Sequence, residues 1–349
     1  MSTINVAVIC GGLSSEHEIS CISAGGVLKG FDSSKFTAIL IGITKTGKWV
    51  LLPNDYPLEI KNGKLPIVDE NAPSVIADIR GFSVDGKPLN IDCVFPVLHG
   101  PYGEDGTIQG LLEIANLAYV GSGVLSSAVA MDKSFAKPIF VASGINVADG
   151  IVMTKKDQKI HIDDLAYPLF VKPARGGSSR GTHKVKTVGE LNAALADAFL
   201  YDNKVMLEQA VLGREIECAV LEVDGVVKAS VVGEIVIDSK FEFYDFEAKY
   251  LDGATTVKIP ADIPQAAAEE IRTKAVQAFK ALGCSGLARC DFFYTDSGEI
   301  VINEINTMPG FTGTSMYPKL WAASGVDYTS LITALIETAL KRTNGVLGN

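Results

Sequence analysis

Three short runs in the first hundred residues, INVAVIC (4–10), FTAILIGI (36–43) and IDCVFPVL (91–98), are apolar and rich in Val and Ile. Helical patterns lie between some of them, most clearly over 16–29 and 107–116. Strand-length apolar runs alternating with helices describe a parallel sheet with crossover helices, ending here near residue 125. The second part of the chain has another texture. Strand runs at 168–172, 183–187, 204–209, 215–223 and 226–237 follow one another closely, with one helix at about 188–200. A helix is expected over about 126–143, opening after Ser126 or Ser127 and ending at Gly144. A helix at 264–282, a hairpin over 286–306 and a last helix at 327–341 complete the pattern, while the turn-rich residues 53–90 give no assignment. The charged, aromatic stretch DSKFEFYDFEAKYLDGATT lacks a steady period and reads as a long loop, a kind of segment usually functional or disordered. The fold class is α/β followed by α+β, and 349 residues suit two or three domains.

A net charge of −10 argues against nucleic acid or an anionic membrane as the main partner. No apolar run approaches the roughly 18 residues needed to span a bilayer. The opening MSTINVAVICGG lacks a basic segment and is not expected to be a signal peptide. The six cysteines are scattered without a CxxC pair, the pattern of buried free thiols in a reducing compartment. The expected location is cytoplasmic.

Within GLARCDFFYTDSGEIVINEIN, a two-residue turn at Asp296-Ser297 sets Arg289 opposite Glu304 and Asp291 opposite Ile302. Side chains alternate faces, so Arg289, Asp291, Glu304 and Asn306 all point the same way. A one-residue slip would scatter them. Three oxygen-bearing groups without His or Cys suit a hard cation such as Mg²⁺, whose octahedron is completed by phosphate oxygens and water. The plain alternative is a polar strand face turned to solvent.

Other segments look ready for phosphate. KPARGGSSRG (172–181) follows the apolar PLFV, and its three Gly, two Ser and three cations let N–H groups and side chains converge on an anion. It also reads as a mobile turn. GITKTGKW (42–49) misses a P-loop because Trp49 stands where Ser or Thr would hold Mg²⁺, and a strand-like run follows. In GGLSSEHEIS, Ser15 and Glu18 have capping-box spacing. Glu16 is outside that box and lies beyond the carboxyl end of the first strand, where a carboxylate suits a substrate ammonium. HGPYGEDG leaves the third strand at the same edge and brings His99.

Together GGLSSEHEIS, FPVLHGPYGEDGTIQG, MDK, FVKPARGGSSRG, FYDFEAKY, GLARCDFFY and NEINTMPGFTGTSMYP resemble the D-alanine–D-alanine ligases of the ATP-grasp superfamily, in the family's order and over nearly the whole chain. The resemblance implies an N-terminal Rossmann-like substrate domain (1–125), a central ATP-grasp lobe with a Gly-rich lid (126–213) and a C-terminal lobe with the metal site (214–349). It implies ATP bound between two antiparallel sheets, phosphorylation of one D-alanine carboxylate, and attack by the amine of a second. Lys133, Lys172, Ser178, Glu208, Gln209, Val211, Glu215 and Lys249 match ATP-binding positions, with Glu208 on the adenine side and Glu215 at the ribose. Asp291, Glu304 and Asn306 match ligands of two Mg²⁺ ions, for which Mn²⁺ is a substitute. Glu16 matches the anchor of the first D-alanine ammonium, with His99 beside it and Ser178 and Tyr250 bonded to that acid. Lys249 and Arg289, with the Gly310 N–H, match the groups that neutralise the transferring phosphate and the tetrahedral oxyanion. Ser315 and the Met316 N–H match the clamp on the second D-alanine carboxylate. Tyr250 and Met316 favour D-alanine over D-lactate or D-serine as second substrate. Gly176 and Arg180 depart from the family pattern, and Arg180 is expected in solvent. The family habit is a homodimer.

Two other classes are weaker. A dinucleotide oxidoreductase is disfavoured because GGLSSE is not GxGxxG and no acid follows the second strand before Asp55. A silent nucleotide-binding protein is disfavoured because every matched acid and lysine is kept. Another ATP-grasp ligase of an acid and an amine or thiol is the nearest enzymatic alternative.

Overall fold

A computed structural model describes residues 3–157, 162, 165–237 and 255–342. Lys249 and Tyr250 lie outside the described residues, with most of the predicted long loop. The first apolar run is β1 (Ile4–Gly11), followed by α1 (His17–Lys29). The second is β2 (Phe36–Ile43), parallel to β1, and β3 (Trp49–Leu52) returns antiparallel on its edge. The GITKTGKW segment thus joins two strands and holds no phosphate loop. Residues 53–90 contain a small antiparallel sheet of β4 (Val75–Asp78), β5 (Gly81–Val84) and β6 (Lys87–Pro88). The third run is β7 (Cys93–Pro96), then α2 (Thr107–Ile114) and β8 (Ala118–Tyr119). The sheet order is β3-β2-β1-β7-β8. From Val6 to Cys10 every residue of β1 is fully buried, because a strand covered on both faces must be apolar at every position.

The helix expected over 126–143 is two, α3 (Val124–Met131) and α4 (Lys133–Ala142). They break at Asp132, whose side chain accepts the Ser134 N–H at 3.1 Å and caps α4. β9 (Gly150–Thr154), unassigned from sequence, joins β10 (Leu169–Pro173), β11 (His183–Val185) and β12 (Lys204–Gln209) in the order β11-β10-β12-β9. α5 (Val188–Tyr201) packs on that sheet. The largest sheet is antiparallel and built from β13 (Gly213–Val223), β14 (Val226–Ile237), β15 (Thr255–Lys258), β16 (Leu287–Thr295) and β17 (Ile300–Asn306). α6 (Gln265–Ala281) covers one face through Ile216, Cys218 and Phe292. α7 (Met316–Ala323), a helix not expected from sequence, and α8 (Tyr328–Lys341) cover the other.

Val6, Val8 and Phe95 of the first sheet share one apolar cluster with Leu221 of β13 and Leu331, Leu335 and Ile336 of α8. The last helix therefore completes the core that the first strands open. α1 touches the loop after β17 at Gly26, where a Cβ would overlap the Phe311 carbonyl oxygen and lie 3.0 Å from Tyr328 Oη. Alanine is about 1 kcal/mol better than glycine inside a helix, but forcing atoms into a packed contact costs about 1–3 kcal/mol. Because the obstacle here is backbone, Gly26→Ala is expected to lower the thermal midpoint; a raised midpoint would show that the loop yields freely. The six cysteines are buried free thiols, as expected. Among the described residues no helix is long and apolar enough to cross a membrane.

Candidate active site

Near the β16–β17 turn Phe292 faces Ile302, one place off the predicted register. The extra residue Asn303 then shifts the ladder once more, so Asp291 faces Glu304 and Arg289 faces Asn306, not Glu304. Two single-residue displacements in the same direction restore the side-chain parity. The four side chains share a face as expected, by pairings that differ from the prediction.

That face is a network of opposite charges. Arg289 holds Asp291 with both arms of its fork, Nε to Oδ1 at 2.7 Å and Nη2 to Oδ2 at 2.8 Å, and reaches Glu217 at 3.1 Å. Burial works against the guanidinium charge, but Asp291 and Glu217 outweigh it and raise the Arg289 pKa well above the ordinary value. Asn306 Nδ2 donates to Asp291 Oδ2 at 3.0 Å. Lys133 pairs with Glu304 at 2.9 Å and donates to the Gly176 carbonyl at 3.1 Å. Burial pulls its pKa down, and Glu304 more than offsets this. Among the described residues no three His, Cys, Asp or Glu side chains form a metal cluster; the predicted set is two acids and an amide. Its donors are all oxygens, and its two acids already hold cations, so the chemistry fits a hard divalent ion.

Opposite this face stand Lys172 and Glu208, on neighbouring β10 and β12. Lys172 bonds Glu208 at 2.6 Å and donates to Asn303, the bulge residue, at 3.2 Å. Lys137 pairs with the other oxygen of Glu208. Burial would raise the Glu208 pKa, but Lys137 and Lys172 prevail and lower it to about 2. A cleft of about 430 Å³ lies between the two sheets, lined by Lys133, Lys172, Glu208, Glu215, Asp291 and Glu304 among others. Gln209, Val211, Ser178 and Arg289 line it too. Arg180 is half-buried rather than out in solvent.

At the adjoining edge the predicted capping box does not form. Glu16 itself caps α1, its N–H donating to Ser14 Oγ at 3.1 Å, while Glu18 pairs with Lys45. The Glu16 carboxylate accepts the Ser178 hydroxyl, as expected. The lid approaches so closely that a Cβ at Gly177 would sit 2.6 Å from Glu16 Oε2. His99 is buried, and burial lowers its pKa despite the opposing Glu16 charge. A carbonyl oxygen only accepts, so Nδ1–H donates to the Met308 carbonyl at 3.1 Å, and in the neutral ring that leaves Nε2 to accept from Ser23 Oγ at 3.0 Å. Ser23 Oγ in turn accepts the Phe311 N–H at 3.3 Å. Glu104 accepts the N–H groups of Gly100 at 2.7 Å and Met308 at 3.3 Å. Burial, then the Glu16 charge, raises its pKa to about 8. The N–H groups flanking Pro309-Gly310 are thus committed to Glu104 and Ser23, which pins the turn. Beyond it Ser315 caps α7, with Met316 as its first residue. A helix start presents unpaired N–H groups to an anion. Ser315 Oγ also accepts the Thr312 N–H at 3.0 Å.

Lys137, Glu104, Ser23 and Glu217 are site residues that the sequence reading passed over. Lys137 had a signal, since it follows Lys133 by four residues on one helix face. Glu104 stood inside a noted motif but without any periodicity to mark it.

The D-ala D-ala ligase N-terminus family matches residues 5–122, and the D-ala D-ala ligase C-terminus family matches 139–337. A D-alanine--D-alanine ligase of Mycolicibacterium smegmatis is 49% identical over 361 residues, covering 98% of this chain and 96% of that protein. The VanG D-Ala:D-Ser ligase of Enterococcus faecalis is similar in structure, with a TM-score of 0.85 and 37% identity over 97% of this chain and 100% of its own. A D-alanine--D-alanine ligase of Bacillus anthracis complexed with ATP gives a TM-score of 0.74 and 30% identity over 97% of this chain and 98% of its own. With both halves of the fold matched and the lysine-and-carboxylate cleft between its sheets, the chain belongs to the D-alanine–D-alanine ligase family.

Proposed function

We propose that this chain joins two D-alanines into D-alanyl-D-alanine with ATP as phosphoryl donor, supplying a peptidoglycan precursor. The observation that carries the reading is the meeting of three groups at one cleft: the Lys133–Glu304 and Arg289–Asp291 pairs, the Lys172–Glu208 pair, and the Glu16–Ser178 contact. The nucleotide lies between the sheets of β10–β12 and β13–β17. Lys133, Lys172 and Lys249 take its phosphates, Glu208 with Gln209 and Val211 the base, and Glu215 the ribose. Asp291, Glu304 and Asn306 hold Mg²⁺ or Mn²⁺, which neutralises phosphate charge when bound. Glu16 takes the ammonium of the first D-alanine beside His99, Ser178 and Tyr250. Arg289 and the Gly310 N–H face the carbon under attack, and one such preorganised donor is typically worth about 3 kcal/mol in the transition state. The second D-alanine carboxylate sits on the Ser315 hydroxyl and the N–H of Met316 at the start of α7. The Gly-rich lid over Glu16 excludes water, which protects an acyl phosphate from hydrolysis. The unit boundaries 1–125, 126–213 and 214–349, a cytoplasmic homodimer and D-alanine as second substrate belong to the same reading.

The test is ATP-dependent phosphate release with D-alanine, L-alanine, and D-alanine plus D-serine or D-lactate, with products identified by mass. D-alanine alone is expected to suffice and to yield the dipeptide. Release only with D-serine present would favour the activity named for the E. faecalis protein, and no release with any pair would remove the reading.

A further inference from the structure

Three charged side chains are buried together beneath the cleft: Lys137 is 5% exposed, Glu208 3% and Lys172 9%. Lys172 and Glu208 line the cleft, whereas Lys137 is not among its lining residues. The two lysines divide the carboxylate, Lys137 on Oε1 and Lys172 on Oε2. Helix stability does not account for this. Lys133 opens α4, where the helix dipole disfavours a cation, and Lys137 lies one turn further in, where the dipole gives a cation no advantage. Nor does fold stability, since a buried ion pair contributes little beyond what apolar side chains of the same volume would.

We propose that Lys137 is a positioning residue for the nucleotide, holding Glu208 ionised and aimed so that Lys172 is free to leave it for the phosphates. This rests on the reading above, in which Lys172 meets phosphate and Glu208 the base. If Lys172 were the sole cation on Glu208, moving it away would strand a buried carboxylate, which is strongly unfavourable. With Lys137 on the other oxygen, the carboxylate keeps a counter-charge throughout. The charged groups facing Lys137 are Glu208 from β12, Lys172 from β10 and Lys133 from its own helix. Burial lowers the Lys137 pKa, Glu208 opposes this, and the two lysines add to it, leaving a value of about 8. Lys137 is thus charged below that pH and loses its proton above it. Nucleotide binding that requires the charged form weakens as pH rises through 8, by up to about tenfold per pH unit.

The experiment is calorimetric binding of ATP to the full chain, wild type and Lys137→Met, between about pH 7 and 9.5, with steady-state kinetics beside it. Lys137→Met is expected to raise Kd and KM for ATP at about pH 7 by at least about tenfold, while kcat at saturating ATP changes far less. The wild-type Kd should rise with pH and that of the variant should not. An unchanged Kd in Lys137→Met, or the same pH dependence in both proteins, would overturn the proposal. Should the variant fail to fold, Lys137→Arg replaces it, because a guanidinium keeps its charge across this range. The rise of Kd with pH should be lost in Lys137→Arg, and the same pH dependence in it and in the wild type overturns the proposal. Dipeptide formation by the wild type tests the ligase reading separately, so the two failures are distinguishable.

Discussion

Asp291→Asn is expected to lower turnover by at least about a hundredfold, because losing even a group one shell out from a metal ion costs roughly 10–100-fold. The carboxylate has two tasks that an amide cannot share. It accepts both arms of Arg289 and the amide of Asn306, and in the proposed metal site it would supply charge alongside Glu304. An Asn side chain offers one oxygen, so its Nδ2 would face either a guanidinium or the Asn306 amide, donor against donor. Glu304→Gln is expected to act likewise, releasing Lys133 from its 2.9 Å pair. The measurement is kcat at saturating substrates across a Mg²⁺ titration, with thermal unfolding as control. Near-wild-type rates in both variants would sink the metal assignment.

Arg289→Met is expected to lower both stability and rate. The Arg289 side chain is about four-fifths buried, 20% exposed, and its guanidinium is shared by Asp291 and Glu217. Removing one partner of a buried ion pair typically costs about 3–5 kcal/mol. In the reaction, losing a preorganised donor aimed at developing charge lowers the rate by about 10²–10³. Arg289→Lys separates the two effects, because it keeps the charge but not the two-armed fork. Stability should recover more than rate. If kcat at saturating substrates follows stability in both variants, Arg289 is structural and the oxyanion role falls.

Much of the candidate site was legible because it sits on regular strands. The face shared by Arg289, Asp291, Glu304 and Asn306 depends only on parity, and parity survived a register error that the bulge at Asn303 compensated. The bulge had no signal of its own, since one extra residue in VINEIN leaves the apolar alternation readable. The break at Asp132 was lost for a similar reason: periodicity over 126–143 is insensitive to a one-residue interruption. α7 was missed because MYPKLWAA is short and carries a proline, and its contacts with β13 and β14 decide that it forms.

By itself the chain determined most of the longer strands and helices, the order of an α/β part followed by an α+β part, and the side-chain types delivered to each strand end. These follow from local alternation and from motifs of adjacent residues, which short-range sterics and burial enforce. Tertiary structure alone decided that α8 completes the core of the first sheet, that Glu104 and Ser23 pin the Pro309-Gly310 turn, and that Lys137 backs Glu208. Those contacts join residues 71 to 330 positions apart, and a buried charge is tolerated only where a partner from elsewhere in the chain arrives to meet it.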